Sequence, residues 1–164
     1  MNIIVIGAGP AGYSCAIALA QKGANVTIIE SKNVGGICLN EGCIPTKSLL
    51  HQTKHNAADW NAIQEKKSNV VGMLTGGVQS LLQMNNVNLV KGEAKFVDAN
   101  TIEVNGNKLT FDKAIIATGS SPAMPDFAMN NRNCIDSTEA LAMAKLPKSM
   151  CIIGGGVIGC EMAT

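Results

Sequence analysis

The chain has 164 residues, a formal net charge of +1, 46% hydrophobic and only 3% aromatic residues. This length allows one domain with a sizeable core, and scattered lysines with a single arginine, Arg132, and no aromatic interleaving argue against nucleic-acid binding. No apolar run approaches the roughly 20 residues of a membrane span, and with strand-forming residues directly after Met1 no signal or transit peptide is expected.

Residues 2–6, Asn-Ile-Ile-Val-Ile, are a β-branched run suited to a buried parallel strand. The run enters Gly7-Ala8-Gly9-Pro10-Ala11-Gly12, followed by an alanine-rich helix to about Lys22 that Gly23 ends. Val26-Thr27-Ile28-Ile29 is a second strand with Glu30 at its C-terminal end. Strand, glycine turn, helix, strand and acid in this order form the dinucleotide fingerprint in its required setting. The glycines let backbone approach a pyrophosphate, the helix N-terminus favours its charge, and Glu30 can accept from ribose hydroxyls.

Cys38 and Cys43 follow, in Gly35-Gly36-Ile37-Cys38-Leu39-Asn40-Glu41-Gly42-Cys43-Ile44-Pro45-Thr46-Lys47. Their spacing at the mouth of a helix points to a redox-active disulfide held against a cofactor. Five extended chain steps reach roughly 17 Å, while a disulfide needs Cα atoms roughly 5.5 Å apart. A regular helix is excluded too, because five residues rise about 7.5 Å. The bridge therefore needs a tight, irregular turn, for which Gly42 supplies freedom. Pro45 fits the first turn of the following helix, whose N-terminus favours a thiolate at Cys43. Inert buried thiols and a metal site are the alternatives. The only histidines are His51 and His55, and a zinc set with them would place three ligands on one helix, so no metal is expected. Both histidines read as helix-face residues without chemistry.

A helix is expected from about residue 44 into the fifties, then a loop around Asp59-Trp60-Asn61. A second helix carries Ile63, Val70, Leu74, Val78, Leu81 and Leu82 on one face. Gly72, Gly76 and Gly77 weaken it by about 1 kcal/mol each against alanine, which implies close backbone packing or a kink. Residues 87–92 read as a strand. Alternating runs at 94–97, 101–104 and 108–111 form an antiparallel meander, with turns at Asp98-Ala99-Asn100 and Asn105-Gly106. Residues 113–117 return as a buried strand ending in a polar glycine turn, the place where open α/β sheets bind ligands. Met150-Cys151-Ile152-Ile153 reads as a further strand. It enters a second nucleotide loop, Gly154-Gly155-Gly156-Val157-Ile158-Gly159, with Glu161 two residues on. Six cysteines in such a chain do not read as a secreted disulfide framework, so the expected setting is reducing cytoplasm. Cys15, Cys134, Cys151 and Cys160 are expected as buried thiols, and Met73, Met84 and Met143 as core filler.

The fold class expected is α/β: a dinucleotide-binding, Rossmann-like parallel sheet with an inserted antiparallel meander, plus the start of a second Rossmann unit. The division is 1–147 for the first nucleotide-binding domain, lacking a later return segment, and 148–164 for the truncated start of the second. On this reading the sequence is the front part of a longer two-nucleotide enzyme, inactive alone.

Four segments identify the family that this arrangement resembles: GAGPAG at 7–12, GGICLNEGCIPTKSLL at 35–50, ATGSSP at 117–122 and GGGVIGCEMA at 154–163. They resemble the flavoprotein disulfide reductases (class I pyridine nucleotide-disulfide oxidoreductases), in the wording of the dihydrolipoamide dehydrogenase branch. The resemblance covers the whole chain in the correct order. It implies FAD at Gly7, Gly9, Pro10, Ala11, Gly12, Glu30, Gly36, Gly92, Ala94, Thr118 and Gly119, and NAD at Gly154, Gly156 and Gly159. By resemblance Cys43 is the thiol beside the flavin, Cys38 is the interchange thiol, Lys47 lies near flavin N5, and Glu161 pairs with Lys47. One departure is Ile37, where the family usually carries threonine; the lost hydroxyl removes a hydrogen bond to FAD of about 0.5–1.5 kcal/mol.

The implied reaction oxidises dihydrolipoamide with NAD+ through a Cys38–Cys43 disulfide. The implied partners are lipoyl groups on acyltransferase subunits of 2-oxoacid dehydrogenase complexes, and a second copy of the full-length chain. The histidine–glutamate acid/base pair of the family comes from a C-terminal domain and is not in this sequence. Three readings remain open: this oxidoreductase, a catalytically silent FAD-binding module, and a reductase for another disulfide or mercuric ion.

Overall fold

The computed structural model describes residues 1–55 and 59–164, except for the side chain of residue 55. His55 as a helix-face side chain therefore lies outside the described residues. In chain order the elements are β1 (Asn2–Ile6), α1 (Pro10–Gln21), β2 (Asn25–Glu30), α2 (Gly36–Asn40), α3 (Cys43–His55), α4 (Trp60–Met84), β3 (Asn88–Lys91), β4 (Lys95–Asp98), β5 (Thr101–Val104), β6 (Asn107–Thr110), β7 (Lys113–Ile116), α5 (Ser137–Leu141) and α6 (Val157–Met162). Two compact units result, one from residues 1–40 and 73–120, the other from residues 41–72 and 121–164.

The first unit contains a four-stranded parallel sheet in the order β3-β2-β1-β7. Ile6 stands opposite Ile29 on one side and Ile116 on the other, so the ends of three strands line up beside the turn after β1. Parallel neighbours require a crossover, and α1 supplies it between β1 and β2. Alternation along the strands divides the core in two. Ile3, Val5, Val26 and Ile28 face one way, with Ala16 of α1 and Val78 and Leu82 of α4. Ile4 and Ile29 face the other way and pack with Ile102, Val104 and Phe111 of the antiparallel segment. Each such buried Val, Ile or Leu contributes about 1.5–3 kcal/mol relative to exposure.

The β4-β5-β6 meander forms as expected, with Val104 paired to Asn107 across the Asn105-Gly106 turn. Both turn residues have positive φ, 52° and 78°, the pattern of a type I′ hairpin. At the other turn Asp98 accepts the Asn100 N–H at 2.8 Å. That bond, followed by the Thr101 side chain, holds the Asp98 carboxyl below its ordinary range.

Several expectations are corrected. Trp60 and Asn61 are the first residues of α4 and not part of a loop. On α4 only Ile63, Val78 and Leu82 of the expected face are buried, while Leu74 and Leu81 are exposed. A Cβ at Gly72, Gly76 or Gly77 would meet no described atom within 4 Å, so close backbone packing is not what these glycines serve. Met73 and Met84 are exposed rather than core filler, and Met143 is half-buried. Cys151 and Cys160 are likewise exposed, and Cys15 and Cys134 half-buried. Among the described residues β7 pairs only with β1, and its Ile116 is 68% exposed, so the returning strand is less buried than its composition implies. Residues 150–153 adopt no strand, because a strand exists only by pairing and no described strand lies against them.

The second unit is helical among the described residues. Asp136 and Glu139 form a reciprocal capping box that starts α5. The carbonyls at the other end of α5 are held from α4: Leu141 O accepts from Gln64 and Lys67, and Met143 O accepts from Trp60 Nε1 at 2.8 Å. Partial burial lowers the Lys67 pKa. No helix among the described residues is long and apolar enough to cross a membrane.

Candidate functional site

The glycine turn after β1 is shaped by backbone contacts that only glycine tolerates. Gly7 has φ of +100°, and a Cβ there would stand 2.2 Å from Ala117 O and 3.3 Å from Thr118 Cα. A Cβ on Gly12 would fall 1.8 Å from Gly7 O. The turn thus packs against both its own helix and the segment after β7, which contains Thr118 and Gly119. Gly9 is the N-cap of the 12-residue α1, followed by Pro10, and has no side chain to satisfy the first N–H groups. This is a helix N-terminus open to an anion.

Glu30 is 8% exposed at the end of β2. Its Oε2 accepts the Ala8 N–H and its Oε1 the Lys32 N–H, each at 2.7 Å. The acid expected to meet a ribose thus also staples the glycine turn to β2, a role invisible in the motif. A carboxylate has about four acceptor positions, so both oxygens retain capacity. The Glu30 carbonyl accepts the Gly92 N–H at 2.9 Å, which brings Gly92 and the following Glu93-Ala94 to the same sheet end.

The segment leading into the cysteines is laid on this turn. Gly35 N–H donates to Ala8 O at 2.8 Å, and a Cβ on Gly36, whose φ is +61°, would meet Gly9 Cα at 2.7 Å. Gly36 opens α2, which carries half-buried Cys38. Where sequence reasoning expects only an irregular turn, there is one helical turn, a break at Glu41-Gly42, and then α3 beginning at Cys43. Cys43 is exposed. Gly42 O accepts both the Thr46 N–H at 3.0 Å and the Thr46 hydroxyl at 2.6 Å, which fixes the start of α3 around buried Pro45. Ile37 is 37% exposed.

Within the second unit Lys47 of α3 and Glu161 of α6 form an ion pair, with side chains 55% and 26% exposed. This is the pairing expected of the two residues. The second glycine turn repeats the first in local detail. Gly154 has φ of +114°, and a Cβ on Gly159 would fall 1.9 Å from Gly154 O. Gly156, the N-cap of α6, has φ −75° and ψ −178°, against −72° and −177° at Gly9. His51 is exposed on α3. Among the described residues no group of three or more His, Cys, Asp or Glu side chains could hold a metal ion.

Sequence reasoning missed one side chain close to the cysteines. Asn40 Nδ2 donates to Val34 O at 3.0 Å and Gly36 O at 2.9 Å, and its Oδ1 accepts from Thr75 Oγ1 at 3.3 Å. No spacing rule signals it, because its partners are two carbonyls and a distant helix.

Comparison with known proteins agrees with this arrangement. The chain is 50% identical to dihydrolipoyl dehydrogenase of Geobacillus stearothermophilus, over 98% of this chain and 38% of the relative. It is 47% identical to dihydrolipoyl dehydrogenase of Staphylococcus aureus, over 99% of this chain and 39% of the relative. The HOCl-induced flavoprotein disulfide reductase RclA from Escherichia coli superposes with a TM-score of 0.92 at 33% identity, covering 99% of this chain and 39% of that one. The chain therefore spans about two fifths of the length of these relatives. All of it, residues 1–164, matches the family described as pyridine nucleotide-disulphide oxidoreductase, and to that family this chain belongs.

Proposed function

We propose that this chain is the FAD-binding part of a dihydrolipoyl dehydrogenase, which oxidises dihydrolipoamide with NAD+ through a Cys38–Cys43 disulfide. The observation that carries the reading is the seating of the cysteine segment on the dinucleotide turn, by Gly35 N–H on Ala8 O and Gly36 against Gly9. It supports the reading because the segment that leads into the cysteines starts against the backbone that would hold the cofactor. The residues fit a dinucleotide: the glycines leave a cradle, the α1 N-terminus offers N–H groups, and Glu30 keeps acceptor capacity. Gly7, Gly9, Pro10, Ala11, Gly12 and Gly36 would hold the pyrophosphate region of FAD, Glu30 the ribose, Gly92 and Ala94 the adenine end, and Thr118 and Gly119 the flavin end. Gly154, Gly156 and Gly159 would supply the turn for NAD.

FAD, when bound, supplies two-electron transfer between the thiol pair and the nicotinamide. The chain's own part is the exchange. A substrate thiolate bonds to Cys38 Sγ, the Cys38–Cys43 bond breaks, and its electron pair leaves on Cys43. The second substrate thiolate then displaces Cys38, which releases the substrate disulfide and leaves two reduced cysteines. The Lys47–Glu161 pair keeps the Lys47 ammonium oriented at the start of α3. On this reading residues 1–147 form the FAD-binding domain and 148–164 open the NAD-binding domain. The working protein is a cytoplasmic homodimer that serves lipoyl groups on acyltransferase subunits.

The likeness to RclA, itself described as a disulfide reductase, favours a second reading in which the same cysteines serve another disulfide. The test is FAD titration followed by exposure of the oxidised, FAD-loaded protein to dihydrolipoamide or to glutathione. Loss of the Cys38–Cys43 disulfide with dihydrolipoamide, and its retention in excess glutathione, is the expected result. No saturable FAD binding, or equal loss of the disulfide with both thiols, would overturn the proposal.

A further inference from the structure

The five-residue α2 is too short to hold itself, because one helical turn fixes several dihedrals for a single hydrogen bond. Beside the packing of Leu39 on the core, its cohesion comes from Asn40. The Asn40 amide donates to Gly36 O, spanning the turn that contains Cys38, and to Val34 O, tying that turn to buried Val34 before it. Its Oδ1 takes the Thr75 hydroxyl from α4, so the amide cannot rotate without losing that bond. Both ends of one half-buried side chain are thereby used to hold the backbone two residues from a cysteine.

We infer that Asn40 is a positioning residue for Cys38, with Thr75 as its orienting partner, and that together they decide which sulfur an incoming thiolate reaches. The inference rests on the proposed exchange reaction at the Cys38–Cys43 disulfide. With the turn fixed, Cys38 Sγ is presented in one direction, and attack there expels Cys43. With the turn loose, the incoming thiolate reaches either sulfur.

The test uses the intact chain with FAD, oxidised, and treated with 2-mercaptoethanol as a small monothiol. Acid quenching and peptide mass mapping give the ratio of Cys38 to Cys43 adducts, and denaturation with urea reports folding separately. Wild type favours the Cys38 adduct. Asn40→Ala lowers that preference about tenfold, since three hydrogen bonds are lost. Thr75→Val, which leaves Asn40 in place, lowers it roughly threefold, and Thr75→Ser restores it. If Asn40→Ala fails to fold, the Thr75 pair decides alone. Folded Thr75→Val with an unchanged adduct ratio would overturn the inference and leave the exchange reaction standing. A wild-type chain that forms no Cys38–Cys43 disulfide would overturn both.

Discussion

Replacing Glu30 by glutamine separates the stapling role of this side chain from any role toward a ligand. Each carboxylate oxygen of Glu30 takes one backbone N–H at 2.7 Å, in a residue that is only 8% exposed. Hydrogen bonds to a charged group contribute about 1.5–3 kcal/mol each, and neutral ones about 0.5–1.5. Glutamine is isosteric but presents one acceptor and one donor. It keeps a single bond at neutral strength and turns an N–H₂ group toward the other backbone N–H. The loss is offset in part by no longer burying a formal charge, which leaves about 2–3 kcal/mol of net destabilisation. With a urea m-value of about 2 kcal/mol/M the unfolding midpoint drops by roughly 1 M or somewhat more. Far-ultraviolet circular dichroism in the absence of FAD is the assay, with Glu65→Gln on the exposed side of α4 as the control, expected within about 0.5 kcal/mol of wild type. A Glu30→Gln midpoint as close to wild type as the control would refute the staple and return Glu30 to a purely ligand-facing role.

Gly12→Ala should destabilise the chain by about 1–3 kcal/mol and weaken FAD binding, because its Cβ would meet Gly7 O at 1.8 Å and backbone must move; calorimetry and flavin titration check both. Gly76→Ala and Gly77→Ala should each stabilise by about 1 kcal/mol, since both lie inside α4 with open space around the added methyl, and a lowered melting temperature would contradict this. The Asp98 carboxyl, lowered first by the Asn100 N–H, adds stability that is full above its unfolded value near 3.8 and is lost as pH falls through its lower folded value. The stability difference between wild type and Asp98→Asn should therefore shrink on acidification below about pH 4, and a difference constant with pH would show that the Asn100 bond does not require ionised Asp98.

The first nucleotide turn was legible because its residues have single physical uses: β-branched strands, glycines at close contacts, an acid at a strand end. The hairpin at Asn105-Gly106 was legible for the same reason, since few residues adopt positive φ in succession. Local pattern failed where the outcome depended on distant neighbours. Met150–Ile153 has strand composition, but composition cannot provide a partner strand. Leu74, Leu81, Met73 and Met84 are apolar at helical spacing, yet which of them the fold covers is decided by what packs there. The capping box at Asp136 and Glu139 was available in the sequence as an acid followed three residues later by glutamate, and would have located α5. Nothing local could have revealed that Asn40 clasps two carbonyls and a hydroxyl thirty-five residues away.

The near-identity of the two glycine turns has a consequence for how such loops can be reused. The first turn sits between a paired strand and a 12-residue helix, while the second follows an unpaired segment and opens a six-residue helix. Their internal dimensions nevertheless agree, down to the clash that forbids a side chain at the sixth position. The shape is therefore encoded within six residues and does not wait for the surrounding sheet. A module with that independence can be copied to a new place in a chain and keep its shape from the outset. What must be evolved afresh at each copy is the periphery, because discrimination between one nucleotide and another has to come from side chains outside the turn.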